Sequence, residues 1–146
     1  MALSNISGNA FCDVILTALH VTSGTSTLGT ITVTAPIKIA LLSAAGNQTT
    51  AGTQISGGSY VAIGSGSTGG INTSTNWAAA SGASQATNAV LSQTNMPAVT
   101  VTSIELWDGN GTTSKRTEFG NLTASKTTAS GDTLSFASGA ITSALA

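Results

Sequence analysis

The sequence predicts a mainly β protein, a single β-sandwich or jelly-roll-like domain with a short N-terminal helix. Three observations carry this. About seven or eight short runs of alternating or β-branched residues follow one another from Gly29 onward. Glycine-rich turn signals separate them, and one stretch near the start has helical spacing. No fixed repeat of about 20–50 residues is visible, so a solenoid is not expected.

The elements follow in order. Ser7 to His20 reads as the helix: Ala10, Val14 and Leu16 to Leu19 fall near helical spacing, with Phe11, Ile15 and Ala18 beside them. Ser4 or Ser7 supplies a capping oxygen for an orphan backbone N–H. Val21 to Leu28 reads as a polar loop. Ile31 and Val33 then alternate with Thr30, Thr32 and Thr34. Ile37 to Ser43 is a strong strand, with Ile37, Ile39 and Leu41 on one face and Lys38, Ala40 and Leu42 on the other; Pro36 sits at its start, where a missing N–H does least harm. Ala44 to Gly58 is a long polar connection, Ser59 to Ile63 a short strand, and Gly64 to Gly70 a flexible bend.

Further strands are predicted at Asn76–Ala80, around Trp77, and at Thr87–Ser92. Val99 to Asp108 is the longest: Val99, Val101, Ser103, Glu105 and Trp107 share one face, and Thr100, Thr102, Ile104 and Leu106 the other. A turn at Asp108-Gly-Asn-Gly leads to a return strand over Thr117–Leu122. Lys126 to Gly131 turns, and Asp132–Ala137 and Ala140–Leu145 close the chain. The organisation is a helix and connecting loop over residues 1–28 and a β-sandwich over 29–146, forming one structural unit.

Composition restricts function. Among 146 residues there are only four Lys or Arg, five Asp or Glu, one His and one Cys, with a net charge of −1. Most enzyme mechanisms need clustered acids, bases, nucleophiles or metal ligands, and these groups are scattered. No enzyme activity, catalytic residue, cofactor or metal is expected. Nucleic-acid binding needs a basic stripe, and Lys115-Arg116 has Glu118 beside it. No basic amphipathic helix or apolar run of about 20 residues points to a membrane. The start carries no Lys or Arg before an apolar stretch, so no signal peptide is expected and synthesis is placed in the cytoplasm. Cys12 is alone and reads as a small buried apolar residue. Aromatics are 4% of the chain, so the core should be thin and built from small side chains, with neighbouring subunits adding stability.

Several motifs dissolve on inspection. Gly64-Ser-Gly-Ser-Thr-Gly69 matches G-x-G-x-x-G, but Asn72, Ser74 and Asn76 follow it in place of a helix former. Asp108-Gly-Asn110-Gly-Thr112 starts like a calcium loop but has Thr113 where Gly is needed and Phe119 where a bidentate Glu is needed. His20 has no nucleophile paired with it. Glu105 and Asp108 should point to opposite faces of a strand, which removes the carboxylate pair of a glycosidase. Asn-x-Ser/Thr occurs at Asn5, Asn47, Asn72, Asn110 and Asn121, as expected by chance in so polar a chain. Trp77, Trp107 and Tyr60 are either core fillers or a sugar-stacking platform.

The order of blocks carries a resemblance. IKIALLSAAG is followed by a polar loop to GGSYVAI, glycine/serine-rich turns and a TNAV strand. SIELWDGNG then precedes FGNLTASKTTASGDTLSFASGAITSAL. This order resembles a family of small virion proteins of tailed bacteriophages, labelled tail fibre proteins or head decoration and cement proteins. The resemblance implies a structural virion protein that decorates and cements the capsid shell. It implies the major capsid protein as partner, a homo-oligomer such as a trimer, and a place on the capsid surface. The other role it implies is a fibre or adhesin domain that binds host surface glycans through Gly64–Gly70, Asp108–Lys115 and an exposed Trp. The apolar helix face formed by Phe11, Val14, Ile15, Ala18 and Leu19 is the expected partner contact, because a small β core does not cover it.

Overall fold

Ten antiparallel strands organise the computed structural model, which describes residues 25–28, 31–34, 36–65, 71, 75–81, 84–109 and 115–144. The predicted helix over Ser7–His20, and with it Phe11, Val14, Ile15, Ala18 and Leu19, lies outside the described residues, as do Cys12 and His20. β1 (Thr25–Leu28) pairs antiparallel with β2 (Ile31–Thr34), Leu28 opposite Ile31. The expected loop over Val21–Leu28 is thereby corrected at its C-terminal half. Polarity suggests loop there, but the β-branched Thr residues suit a strand.

The main sheet runs in the order β4 (Thr53–Gln54), β3 (Lys38–Ala44), β7 (Val99–Asp108), β8 (Lys115–Thr128). β3 and β7 show the expected period of two. Ile39 lies opposite Leu106 and Leu41 opposite Ile104, and Ile39, Leu41, Ile104 and Leu106 all enter the core. Lys38 lies opposite Trp107, Ala40 opposite Glu105 and Leu42 opposite Ser103, on the outer face. The expected face of Val99, Val101, Ser103, Glu105 and Trp107 does not hold throughout. The β7–β8 register shifts between Val101 and Ser103, where residues 122–125 of β8 face Thr102 alone, and beside this irregularity Val101 joins Ile104 in the core. β8 is also longer than expected, because Lys126 pairs with Val101 and Thr128 with Val99 where a turn was predicted. The chain turns only at Ala129 to Gly131, with Gly131 at φ 92°.

Two shorter ribbons face the same core. β6 (Leu91–Met96) pairs with β9 (Asp132–Phe136), and β10 (Thr142–Ala144) pairs with β5 (Ser84–Ala86). Leu91, Met96, Leu134 and Phe136 pack with Ile37, Ile39, Leu41, Val101, Ile104 and Leu106, and Ile55, Ile63, Ile71, Trp77 and Ile141 complete the cluster. The segments expected as strands at Ser59–Ile63 and Asn76–Ala80 form single bridges, Ile39 to Ile63 and Trp77 to Thr87. Glycines at positive φ, Gly57, Gly58 and Gly64, bracket the first of these and leave it too short for a ladder.

That short segment still has a task. β4 covers the free edge of β3 for only two residues, so the remaining backbone groups need other partners. Ile55 N–H donates to Leu41 C=O, Ile39 and Ile63 exchange both bonds, and Ile71 N–H reaches Ile37 C=O. The Leu41 N–H has no strand opposite it and donates to the Tyr60 hydroxyl at 2.7 Å.

Candidate functional site

The outer face of the main sheet concentrates the charged chemistry of the described residues. Lys38, Trp107 and Arg116 form one cross-strand row, and Ala40, Glu105 and Phe119 the next. Glu105 is 1% exposed, although a Glu in an alternating strand normally marks the wet face. Its burial is compensated on both oxygens. Oε1 accepts from Arg116 Nη1 at 2.8 Å and from the Gly52 N–H at 2.8 Å, and Oε2 accepts from the Trp107 indole N–H at 3.1 Å.

The segment over residues 45–52 folds onto this carboxylate. Asn47 Oδ1 accepts the N–H groups of Thr49 and Thr50, both at 2.9 Å, which bends the chain into a local turn. The turn aims two carbonyls at Arg116, which donates to Thr50 C=O at 2.8 Å and to Asn47 C=O. Two glycines permit the approach. A Cβ on Gly46 would lie 2.6 Å from Glu105 Oε1, and one on Gly52 would lie 2.6 Å from Leu42 Cδ1. Arg116 also lies over the Phe119 ring, 4.9 Å from its centroid.

Beside this network is a cavity of about 400 Å³ lined by Lys38, Ala40, Gln54, Val61, Ala62, Ser65 and Trp107. The small side chains of Ala40, Ala62 and Ser65 create the space. Trp107 is its aromatic wall, half-buried and held by the Glu105 bond. A second groove of about 350 Å³ opens at the other rim, between β8 and β10. There Glu118 accepts from the Ser143 hydroxyl at 2.7 Å. Burial pushes the Glu118 carboxyl above its ordinary range, only partly offset by that bond.

The aromatic trio does not assemble. Trp77 is buried in the core, Tyr60 is mostly buried at the edge of β3, and Trp107 lies on the opposite face of the sheet. Glu105 is committed to its ion pair, and Asp108 Oδ1 accepts the Lys115 N–H at 2.6 Å across the turn once compared with a calcium loop. Gly109 has φ 64°, as a tight turn needs, while residues 110–114 lie outside the described residues. So do residues 66–70 of the glycine-rich motif. The described residues contain no cluster of three or more His, Cys, Asp or Glu side chains suited to a metal ion, and no helix long and apolar enough to cross a membrane. Arg116 is the residue that sequence reasoning missed. The segment around Asn47 reads only as part of a long polar connection, and nothing in it points to a partner 69 positions away.

A family model described as podophage GP4 fiber I protein gp80 matches residues 3–144. No curated protein and no solved structure matches the chain.

Proposed function

We propose that this chain, which belongs to the podophage GP4 fiber I protein gp80 family and is therefore a structural protein of a phage virion, is a building block of a virion fibre. The single observation that carries this is the family match, which spans the whole β body together with the segment before it. On this reading the protein is not an enzyme. The carboxylates of Glu105, Asp108 and Glu118 each accept a hydrogen bond that ties two segments of the fold together, which suits a rigid element, and Asp132 accepts one within its own turn. We further read the packing of the main sheet against the β6–β9 and β5–β10 ribbons as a β-sandwich. Assembly into a homo-oligomer, with a trimer as the natural fibre symmetry, is part of the same proposal.

A second reading keeps the protein on the head as a decoration that cements the major capsid protein. Outward-facing Val61, Val90 and Phe119, and the open outer edge of β8, favour it as surfaces for a neighbouring subunit. Gold-labelled antibody on intact particles separates the two. Label on projecting fibres is expected; label spread over the head lattice overturns the fibre role in favour of cement.

A further inference from the structure

We infer that the outer-face cavity around Trp107 is a saccharide-binding site. This deepens the fibre reading and rests on it for the source of the sugar, a polymer on the host surface. A pyranose has an apolar C–H face and a rim of hydroxyls, and it needs a wall that answers both. Trp107 offers an aromatic face, and Val61, Ala40 and Ala62 extend the apolar wall. Gln54 brings an amide that both donates and accepts, Ser65 a hydroxyl and Lys38 an ammonium. The volume of about 400 Å³ falls at the lower end of the range for small-molecule sites, about 300–1,000 Å³.

The wall is also fixed before any ligand arrives. Glu105 holds the Trp107 indole N–H, and Arg116 and the Gly52 N–H hold Glu105. An aromatic already locked in place loses little freedom on binding. The same arrangement separates binding from cleavage. Both oxygens of Glu105 are engaged, so the acid nearest the cavity is not set up to protonate a glycosidic oxygen.

The test uses the full chain on a printed array of bacterial-type oligosaccharides made of hexoses, 6-deoxyhexoses, N-acetylhexosamines and uronic acids. The best-bound member is then titrated while tryptophan emission is followed. Trp77 is buried in the core, so the ligand-dependent change reports Trp107. Trp107→Ala is expected to weaken binding by about tenfold or more, and Trp107→Tyr to stay within about threefold of the parent. Gln54→Ala, at an exposed position and checked for folding by circular dichroism because Gln54 also bonds Tyr60, is expected to weaken it several-fold and decides the matter if Trp107→Ala does not fold. Failure of the folded protein to bind any array member overturns the site. So does sugar binding that Gln54→Ala and a folded Trp107→Ala leave unchanged. The fibre reading fails separately: labelled fibres without sugar binding refute the cavity alone, and sugar binding by a protein found on the head lattice refutes the fibre alone.

Discussion

The two faces of the β3–β7–β8 sheet are buried by opposite means. The inner face is covered by apolar side chains drawn from β6, β9 and the irregular segments around Ile55, Ile63, Ile71, Trp77 and Ile141. Over Glu105 the outer face is covered by the loop of residues 45–52, held down by the Glu105–Arg116 ion pair. Inner burial is non-directional and spread over fifteen residues, so each neighbour substitutes in part for another. Outer burial is directional: Glu105, Arg116, Gly46, Gly52 and Asn47 each fill a place that no neighbour can take. A core built mostly of Ile and Leu, with Trp77, Met96 and Phe136, is reinforced on its far side by a polar clamp.

Cutting each face once tests that difference. Glu105→Ala leaves Arg116, the Gly52 N–H and the Trp107 N–H without their shared acceptor, and should cost about 3–5 kcal/mol in urea unfolding. Leu41→Ala, on the inner face, should cost about 2–5 kcal/mol, the range for a core cavity. The signature distinguishes them more sharply than the size. Pairing Glu105→Met with Arg116→Met should recover stability relative to Glu105→Ala, because no charge is then buried alone. Amide exchange at Gly52 should quicken in Glu105→Ala beyond the change in its neighbours on β3. A double variant no better than Glu105→Ala would show that packing of the loop, and not charge pairing, closes the outer face.

The inner face was legible in the sequence and the outer face was not, for a physical reason. Ile37, Ile39 and Leu41 announce themselves by period, and the predicted face agrees with the core. The mainly β character followed from the same signal. Glu105 shares its face of an alternating strand with Val99, Val101, Ser103 and Trp107, which leaves its partner open, and Arg116 lies on another strand, so no local pattern reveals their bond. The same applies to Trp107, whose role depends on what Glu105 does. Val101 lies in the core beside a register break whose extra residues belong to β8, so nothing in the residue types of β7 announces it. β1 was missed because Thr-Ser-Thr looks like loop by polarity and strand by branching.

Tyr60→Phe probes the seam where the faces meet. Its ring packs against the inner core, while its hydroxyl takes the Leu41 N–H at the edge of β3 and is also hydrogen-bonded to Gln54. Removing the oxygen keeps the apolar contact and strands a backbone donor, which should cost about 1–3 kcal/mol in the same unfolding assay. Burial raises the Tyr60 pKa, the Leu41 and Gln54 bonds opposing it, so the phenol stays protonated at neutral pH. A loss indistinguishable from zero would mean that water reaches the Leu41 amide and that the edge is wetter than the packing implies.

The smallest effect belongs to Glu118, a carboxylate on the inner side. Glu118 lies opposite Leu106, at the rim where the core opens into the β8–β10 groove. Unlike Glu105 it has a hydroxyl for a partner, Ser143, and that bond only partly offsets the cost of burying its charge. Its folded pKa is therefore raised above the ordinary 4.5 by burial first, with the Ser143 bond pulling the other way. For a raised carboxyl the fold binds the proton more tightly than the unfolded chain does. Its contribution to stability is complete below about 4.5 and is lost as the pH rises through the folded value. Glu118→Gln keeps an oxygen for Ser143 and removes the charge. The melting temperature of the variant minus that of the parent should stay flat in acid and rise from about pH 4.5 toward neutrality. A difference that instead fell with rising pH would mean that a cation reaches Glu118 at the rim, and that Glu118, like Glu105, is held by charge.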